Sequence, residues 1–107
     1  MSGFRFMRMM VFFDLPTLTN EDKRIYRKFR KALIKNGFVM MQESVYCKMI
    51  TSPSVEASVK KAVRDNKPSN GLVQMLLITE KQFMKMDYIV GEFKTDVINS
   101  EERLIIL

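Results

Sequence analysis

The sequence predicts an α+β fold whose elements follow the order β-α-β-β-α-β. Residues 6–13 form a nearly continuous apolar run, two later segments carry apolar residues at helical spacing, and short strand-like runs lie between and after them. The chain has 107 residues, of which 47% are apolar, and this balance is typical of one small globular domain.

The first strand is predicted over residues 6–13, where apolar and polar side chains do not alternate. A run of this kind is typical of a central strand that is covered on both faces or buried in a dimer. Asp14, Leu15 and Pro16 end the run, so Asp14 is expected at the carboxyl end of the strand.

The first helix is predicted over residues 20–35, with Thr19 as its N-cap and Asp22 in the position of a capping box. At 100° per residue, one helix face collects the apolar side chains Ile25, Tyr26, Phe29, Ala32 and Leu33. Asn36 and Gly37 form a C-terminal capping signal.

The rest of the chain supplies four strand-like runs and a second helix. Strands are predicted over residues 38–41, 44–50, 72–79 and 83–90, and a helix starts at Ser52 and Pro53 and ends before a turn at residues 66–71. This order is the split βαβ, ferredoxin-like arrangement with an added strand.

The end of the chain is expected to serve association. We expect residues 1–91 to form the ferredoxin-like domain and residues 92–107 to form a tail with a strand that contacts a dimer mate or another partner. Residues 104–107 are four bulky apolar side chains, which would pair along a sheet edge. The high apolar content of so small a domain also favours a homodimer.

The charge of the chain is unevenly distributed. Residues 1–70 hold 14 Lys and Arg against 6 Asp and Glu, whereas residues 71–107 hold 4 against 6. The basic part favours a polyanionic partner, nucleic acid first. The acidic side chains near the end are expected to bind a protein partner: Glu92, Asp96, Glu101 and Glu102.

Several classes of protein and site are disfavoured. The chain has no histidine, which removes imidazole from catalysis and argues against zinc. Cys47 is the single cysteine, so no intrachain disulfide can form. No signal peptide and no membrane span are evident, and we expect a cytoplasmic protein.

Asp14 is the candidate catalytic and metal-binding residue. A carboxylate at the end of a buried strand is fixed by rigid backbone and can hold Mg²⁺ or Mn²⁺ for phosphodiester hydrolysis. A turn-forming role before Pro16 is the simpler alternative. One carboxylate is too few for a metal site, but a two-fold axis near Asp14 would supply a second copy.

The first helix carries a face of positive charge that the sequence predicts to bind nucleic acid. Its members are Lys23, Arg24, Arg27, Lys28, Arg30, Lys31 and Lys35. Like charges four residues apart repel by a few tenths of a kcal/mol per pair, and a polyanion would relieve that repulsion. A merely solvated face is the alternative.

Several short segments follow one another in a characteristic order: Phe13-Asp14-Leu15-Pro16-Thr17, Tyr26-Arg27-Lys28-Phe29-Arg30-Lys31, Gly37, Gln42-x-Ser44-Val45-Tyr46 and Thr79-Glu80-Lys81-Gln82-Phe83. In this order they resemble the CRISPR-associated Cas-two family, in the form found in type II systems. The resemblance extends from Met7 to the end of the chain.

The resemblance implies a ferredoxin-like homodimer in which the last strand crosses to the partner subunit. It also implies that Asp14 is the metal aspartate of a magnesium-dependent endonuclease acting on RNA or double-stranded DNA. In spacer acquisition, such a subunit bridges two integrase dimers without catalysis. Many members have Tyr in place of Phe13 and Arg in place of Met40, so we expect weak or vestigial nuclease activity.

Two other functions occur on the same fold. An RNA-binding module without catalysis would need exposed aromatic side chains on the sheet, and the third strand offers only Tyr46. An acylphosphatase-like enzyme would need a glycine-rich anion loop after the first strand, and residues 15–20 contain no glycine.

Overall fold

The computed structural model describes residues 5–92, which form four strands and three helices. The elements are β1 (Met7–Asp14), α1 (Asn20–Lys35), β2 (Val39–Gln42), β3 (Val45–Ile50), α2 (Pro53–Asp65), β4 (Leu72–Thr79) and α3 (Glu80–Met84). Thr19 caps α1 in a capping box with Asp22, and Ser52 caps α2, as predicted.

The four strands form one sheet in the order β2-β3-β1-β4, and all neighbouring pairs are antiparallel. β1 lies between β3 and β4, with Met7 opposite both Ile50 and Thr79. Its central position explains the apolar run without alternation, and the predicted α+β, ferredoxin-like fold is confirmed.

The main core lies between the sheet and helices α1 and α2. Met9, Val11 and Phe13 extend from β1 to this side. The helices meet them with a further set of buried side chains: Phe29, Leu33, Val59 and Val63. Because alternate residues of a strand face opposite sides, the other residues of β1 lie on the second face of the sheet, here called the open face.

The short helix α3 covers one end of the open face, where Phe83 is buried with Met10 and Cys47. The Arg8 guanidinium makes a two-point ion pair with Glu80, at 3.0 and 2.6 Å, and its central carbon lies 4.2 Å from the centre of the Phe83 ring. These contacts fix α3 against β1.

The prediction of a strand over residues 83–90 is wrong. Thr79 and Gln82 form a capping box that starts a helix directly after β4, and residues 85–92 form no strand. The proposed tail strand and the residues Asp96, Glu101 and Glu102 lie outside the described part of the chain, so the division at residue 91 stays a prediction. None of the helices in residues 5–92 has the length and apolar character to cross a membrane.

Candidate functional site: the Asp14 hollow and the basic face of α1

Asp14 is the last residue of β1, paired with Leu72 of β4, and its side chain is exposed. Phe13 belongs to the main core, so strand alternation places Asp14 toward the open face, at its rim. The structure therefore places this carboxylate at the solvent-facing end of the most buried strand, as the sequence predicted.

A hollow of about 370 Å³ opens beside Asp14. Glu43 and two hydroxyl residues, Thr17 and Ser44, also border it. Sequence reasoning did not assign Glu43, because nothing in the chain order indicates that the β2–β3 turn meets the end of β1. The pairing of β1 with β3 explains this position. Phe12 is paired with Val45, so the turn before Val45 must lie beside Phe13 and Asp14.

Hydrogen bonds hold the walls of this hollow, here called the Asp14 hollow. The Phe13 backbone N–H donates to the Ser44 carbonyl at 3.0 Å, and the Tyr26 hydroxyl donates to the Glu43 carbonyl at 3.0 Å. Partial burial raises the pKa of Tyr26, with a smaller contribution from Tyr46, so the hydroxyl keeps its proton at neutral pH. Both bonds tie the β2–β3 turn to neighbouring elements.

Aromatic rings support the end of β1 from the helix side. Phe13 makes edge contacts with Tyr26 and Phe29, at centroid distances of 5.8 and 5.2 Å, and stacks on Tyr46 at 5.7 Å. Tyr46 is fully buried in this core. Because its ring is covered, Tyr46 cannot stack on a base at the sheet surface, which removes the aromatic that the RNA-module alternative needed.

The glycine at residue 71 lets the loop after α2 approach Asp14. Gly71 has φ of +88°, and a Cβ built there would lie 2.8 Å from the Asp14 carbonyl oxygen and 2.7 Å from Leu15 Cδ2. A side chain would force the loop, residues 66–71, away from the end of β1. The Asp14 hollow therefore lies next to a second, tightly fitted loop.

The predicted basic face of α1 is exposed along its whole length, since each of its seven cations is solvent-accessible. Two of them have partners. Arg24 makes a two-point ion pair with Glu21, at 3.0 and 2.7 Å, and this hydrogen-bonded pair lowers the pKa of Glu21. Arg30 donates from Nε to the buried Tyr46 hydroxyl at 2.7 Å.

The other five cations form no ion pair within residues 5–92. They are Lys23, Arg27, Lys28, Lys31 and Lys35. The basic face also spreads to two sides of α1. Arg27 and Arg30 border a hollow with Met40 and Glu43, whereas Arg24 and Lys28 border a groove toward α2.

The donor set at the Asp14 hollow fits a hard divalent ion. Carboxylate and hydroxyl oxygens suit Mg²⁺ or Mn²⁺, whereas zinc would prefer nitrogen or sulfur. Within residues 5–92, no three acidic, histidine or cysteine side chains come together. One chain therefore offers Asp14 with Glu43 nearby, and further ligands would have to come from water, substrate or a second copy.

Comparison with known proteins shows the family to which this chain is similar. The model of the family described as CRISPR associated protein Cas2 matches residues 7–86. A Treponema denticola protein is 50% identical over 101 residues, covering 94% of this chain and 100% of the relative. A Streptococcus mutans UA159 protein is 44% identical (94% and 93% covered), and one from Lacticaseibacillus rhamnosus is 42% identical (94% and 100% covered).

These three relatives are each named CRISPR-associated endoribonuclease Cas2. The matched range, residues 7–86, contains β1 with Asp14, all of α1 and the short helix α3. The family resemblance deduced from the sequence is confirmed, while the type II form stays a prediction. The chain belongs to the Cas2 family of CRISPR-associated proteins.

Proposed function

We propose that this chain is a magnesium-dependent endonuclease on RNA or DNA, and that as a homodimer it binds double-stranded DNA and bridges integrase dimers during spacer acquisition in the cytoplasm. The observation that carries the proposal is the position of Asp14, exposed at a rigid strand end within an oxygen-lined hollow and beside a basic helix. The name endoribonuclease, given to the relatives, supports the nuclease part.

Asp14 would hold the metal ion. When bound, Mg²⁺ supplies charge neutralisation at the scissile phosphate and acidifies the attacking water. The chain's own contribution is placement: Phe13 in the core and Gly71 against the Asp14 carbonyl fix the backbone from which the carboxylate extends. Phe13 brings no hydroxyl to this site, which agrees with an expected weak activity.

Exposed leucines on the open face support the proposal of a homodimer. Leu72 and Leu76 of β4 are 54% and 53% exposed, although the alternate residues of the same strand pack against the core. Two large exposed apolar side chains on the same face of one strand favour an association surface there. A second copy of this chain is the occupant we propose, because Asp14 lies opposite Leu72 and a two-fold axis there would bring two Asp14 carboxylates together.

Within residues 5–92, β4 pairs only with β1, so its outer edge is available to another strand. A strand from residues 92–107 of the partner copy would fit there. Light scattering tests the dimer: the wild type should be dimeric at micromolar concentration, and changing Leu72 and Leu76 to Gln should yield monomers. Met40→Gln, on the other face of the sheet, is the control. A monomeric wild type would contradict the proposal.

Bridging requires two different surfaces. The basic face of α1 would neutralise phosphates without reading sequence, since backbone contacts carry no base information. The acidic residues Glu92, Asp96, Glu101 and Glu102 would pair with basic side chains of an integrase. Glu92 is exposed at the end of the described chain, and the other three lie beyond it.

A cleavage assay tests the nuclease proposal. Purified protein is incubated with RNA and with duplex DNA, with Mg²⁺ or with a chelator. We expect metal-dependent cleavage that Asp14→Asn abolishes and that Asp87→Asn, a change at another exposed carboxylate, leaves intact. Undiminished cleavage by Asp14→Asn, once a contaminating nuclease is excluded, would overturn the role of Asp14.

A further inference from the structure

The groove that Arg24 and Lys28 border lies between α1 and the loop of residues 66–71, which connects α2 to β4. It encloses about 300 Å³. Its charged and polar lining residues are Glu21, Arg24, Lys28, Asp65, Asn66, Lys67 and Ser69. The sequence does not mark Lys67 for nucleic acid, because this residue lies outside α1 and only the fold brings it to the same groove as Lys28.

The acidic residues of this groove are already paired. The Glu21 carboxylate is held by Arg24, and the Asp65 carboxylate accepts from Lys61 Nζ at 2.6 Å. Lys28 and Lys67, by contrast, have no carboxylate partner within residues 5–92. The two lysine ammonium groups therefore make the net charge of the groove positive, and this charge is available to an anion.

Lys67 also borders a second hollow, of about 350 Å³, on the β4 side of the same loop, together with Arg64, Ser69 and Asn70. The loop thus presents cations and hydrogen-bonding side chains on two sides. Its end is fixed, because Gly71 packs against the Asp14 carbonyl and Leu15. The end of the loop therefore keeps a fixed position beside the backbone of Asp14.

We propose that this groove, with Lys28 and Lys67 as its principal cations, is a backbone-phosphate site for nucleic acid that extends the basic face of α1 to the loop of residues 66–71. The inference rests on the proposed nucleic-acid function and names a contact that this function does not include. Among residues 5–92, no large exposed apolar side chain borders the groove, so this part of the chain offers no anchor of the kind that a protein partner would use.

The Glu21–Arg24 pair would regulate this site. Both side chains are exposed, so the pair contributes little to stability. A phosphate entering the groove would compete with Glu21 for the Arg24 guanidinium. Removing the Glu21 charge should therefore free Arg24 for the nucleic acid and strengthen binding.

Fluorescence anisotropy with a labelled duplex over a range of salt concentrations tests the groove. Lys67→Gln should reduce the slope of log affinity against log salt by about 0.9, the value for one lost phosphate contact. Lys81→Gln, the same charge change on α3 at the open face, should leave the slope nearly unchanged. Glu21→Gln should raise the affinity at every salt concentration.

The possible failures are distinguishable. Equal effects of Lys67→Gln and Lys81→Gln would show a net-charge effect and overturn the groove site. The groove site would also be overturned if Lys67→Gln keeps the wild-type salt slope while a variant lacking Arg27 and Lys31 has a reduced slope. In that case the proposed nucleic-acid function would stand. If Lys67→Gln loses integrase association but keeps duplex binding, the groove is a protein-binding site, and the phosphate site is overturned. No duplex binding by the wild type would refute the proposed function itself.

Discussion

Replacing Arg27 and Lys31 together by alanine removes two exposed charges from the middle of α1. Neither side chain has an ion-pair partner within residues 5–92, so both charges are available to phosphate. Alanine is the strongest helix former, and the change also relieves the repulsion between these two residues, which stand four apart. The helix should therefore keep its structure while it loses affinity for nucleic acid.

The size of the effect follows from counterion release. Each duplex phosphate contact contributes about 0.9 to the slope of log affinity against log salt, so two contacts contribute about 1.8. Between 50 and 200 mM salt, the wild type should lose about twelvefold more affinity than the variant does. All duplex sequences should be affected about equally, because phosphate contacts are not sequence-specific.

Duplex anisotropy at four or more salt concentrations measures both slopes. The control is the double change Lys81→Ala and Lys85→Ala, which removes the same charge from α3 and the residue after it. Equal slopes for the wild type and the α1 variant would show that the basic face of α1 is only solvated. Equal loss in the control would show that only net charge matters.

Two further predictions concern stability. Arg30→Ala should cost about 1–2 kcal/mol of unfolding free energy, because it removes the donor to the buried Tyr46 hydroxyl, and the cost should shrink in a Tyr46→Phe background. Equal costs in both backgrounds, measured by chemical denaturation, would deny that bond. Burial raises the pKa of the Cys47 thiol above that of an exposed thiol. The stability that the protonated thiol contributes is therefore complete below the pKa of an unfolded thiol, about 8.5, and is lost as the pH rises through the higher folded-state pKa. Cys47→Val should flatten this decline in stability at alkaline pH, and an unchanged decline would contradict the assignment.

Local signals in the sequence predicted most of the fold. Thr19 and Ser52 mark the helix starts correctly, and the nearly continuous apolar run predicts the central position of β1. The capping pattern of Thr19 recurs at Thr79 with Gln82 and starts a helix, although the bulky residues at 83–90 are also typical of a strand. The helix forms here because it buries Phe83 on the open face.

The candidate site was only partly predictable. Asp14 could be found because its position at the end of a strand is a property of the local sequence. Glu43 and Lys67 could not, because each reaches the site through a connection between elements that chain order does not reveal. The pairing of Arg8 with Glu80, which lie 72 residues apart, was hidden for the same reason.

The proposal that Asp14 holds the catalytic metal is tested most directly by divalent-ion binding, without any substrate. Mn²⁺ is titrated into the protein, and bound ion is followed by electron paramagnetic resonance, with Mg²⁺ as competitor. We expect the wild-type homodimer to bind one ion at the shared pair of Asp14 carboxylates. Asp14→Asn, shown by circular dichroism to be folded, should bind none, and Asp87→Asn should bind as the wild type does. Mn²⁺ binding by Asp14→Asn with the affinity of the wild type would contradict the proposal.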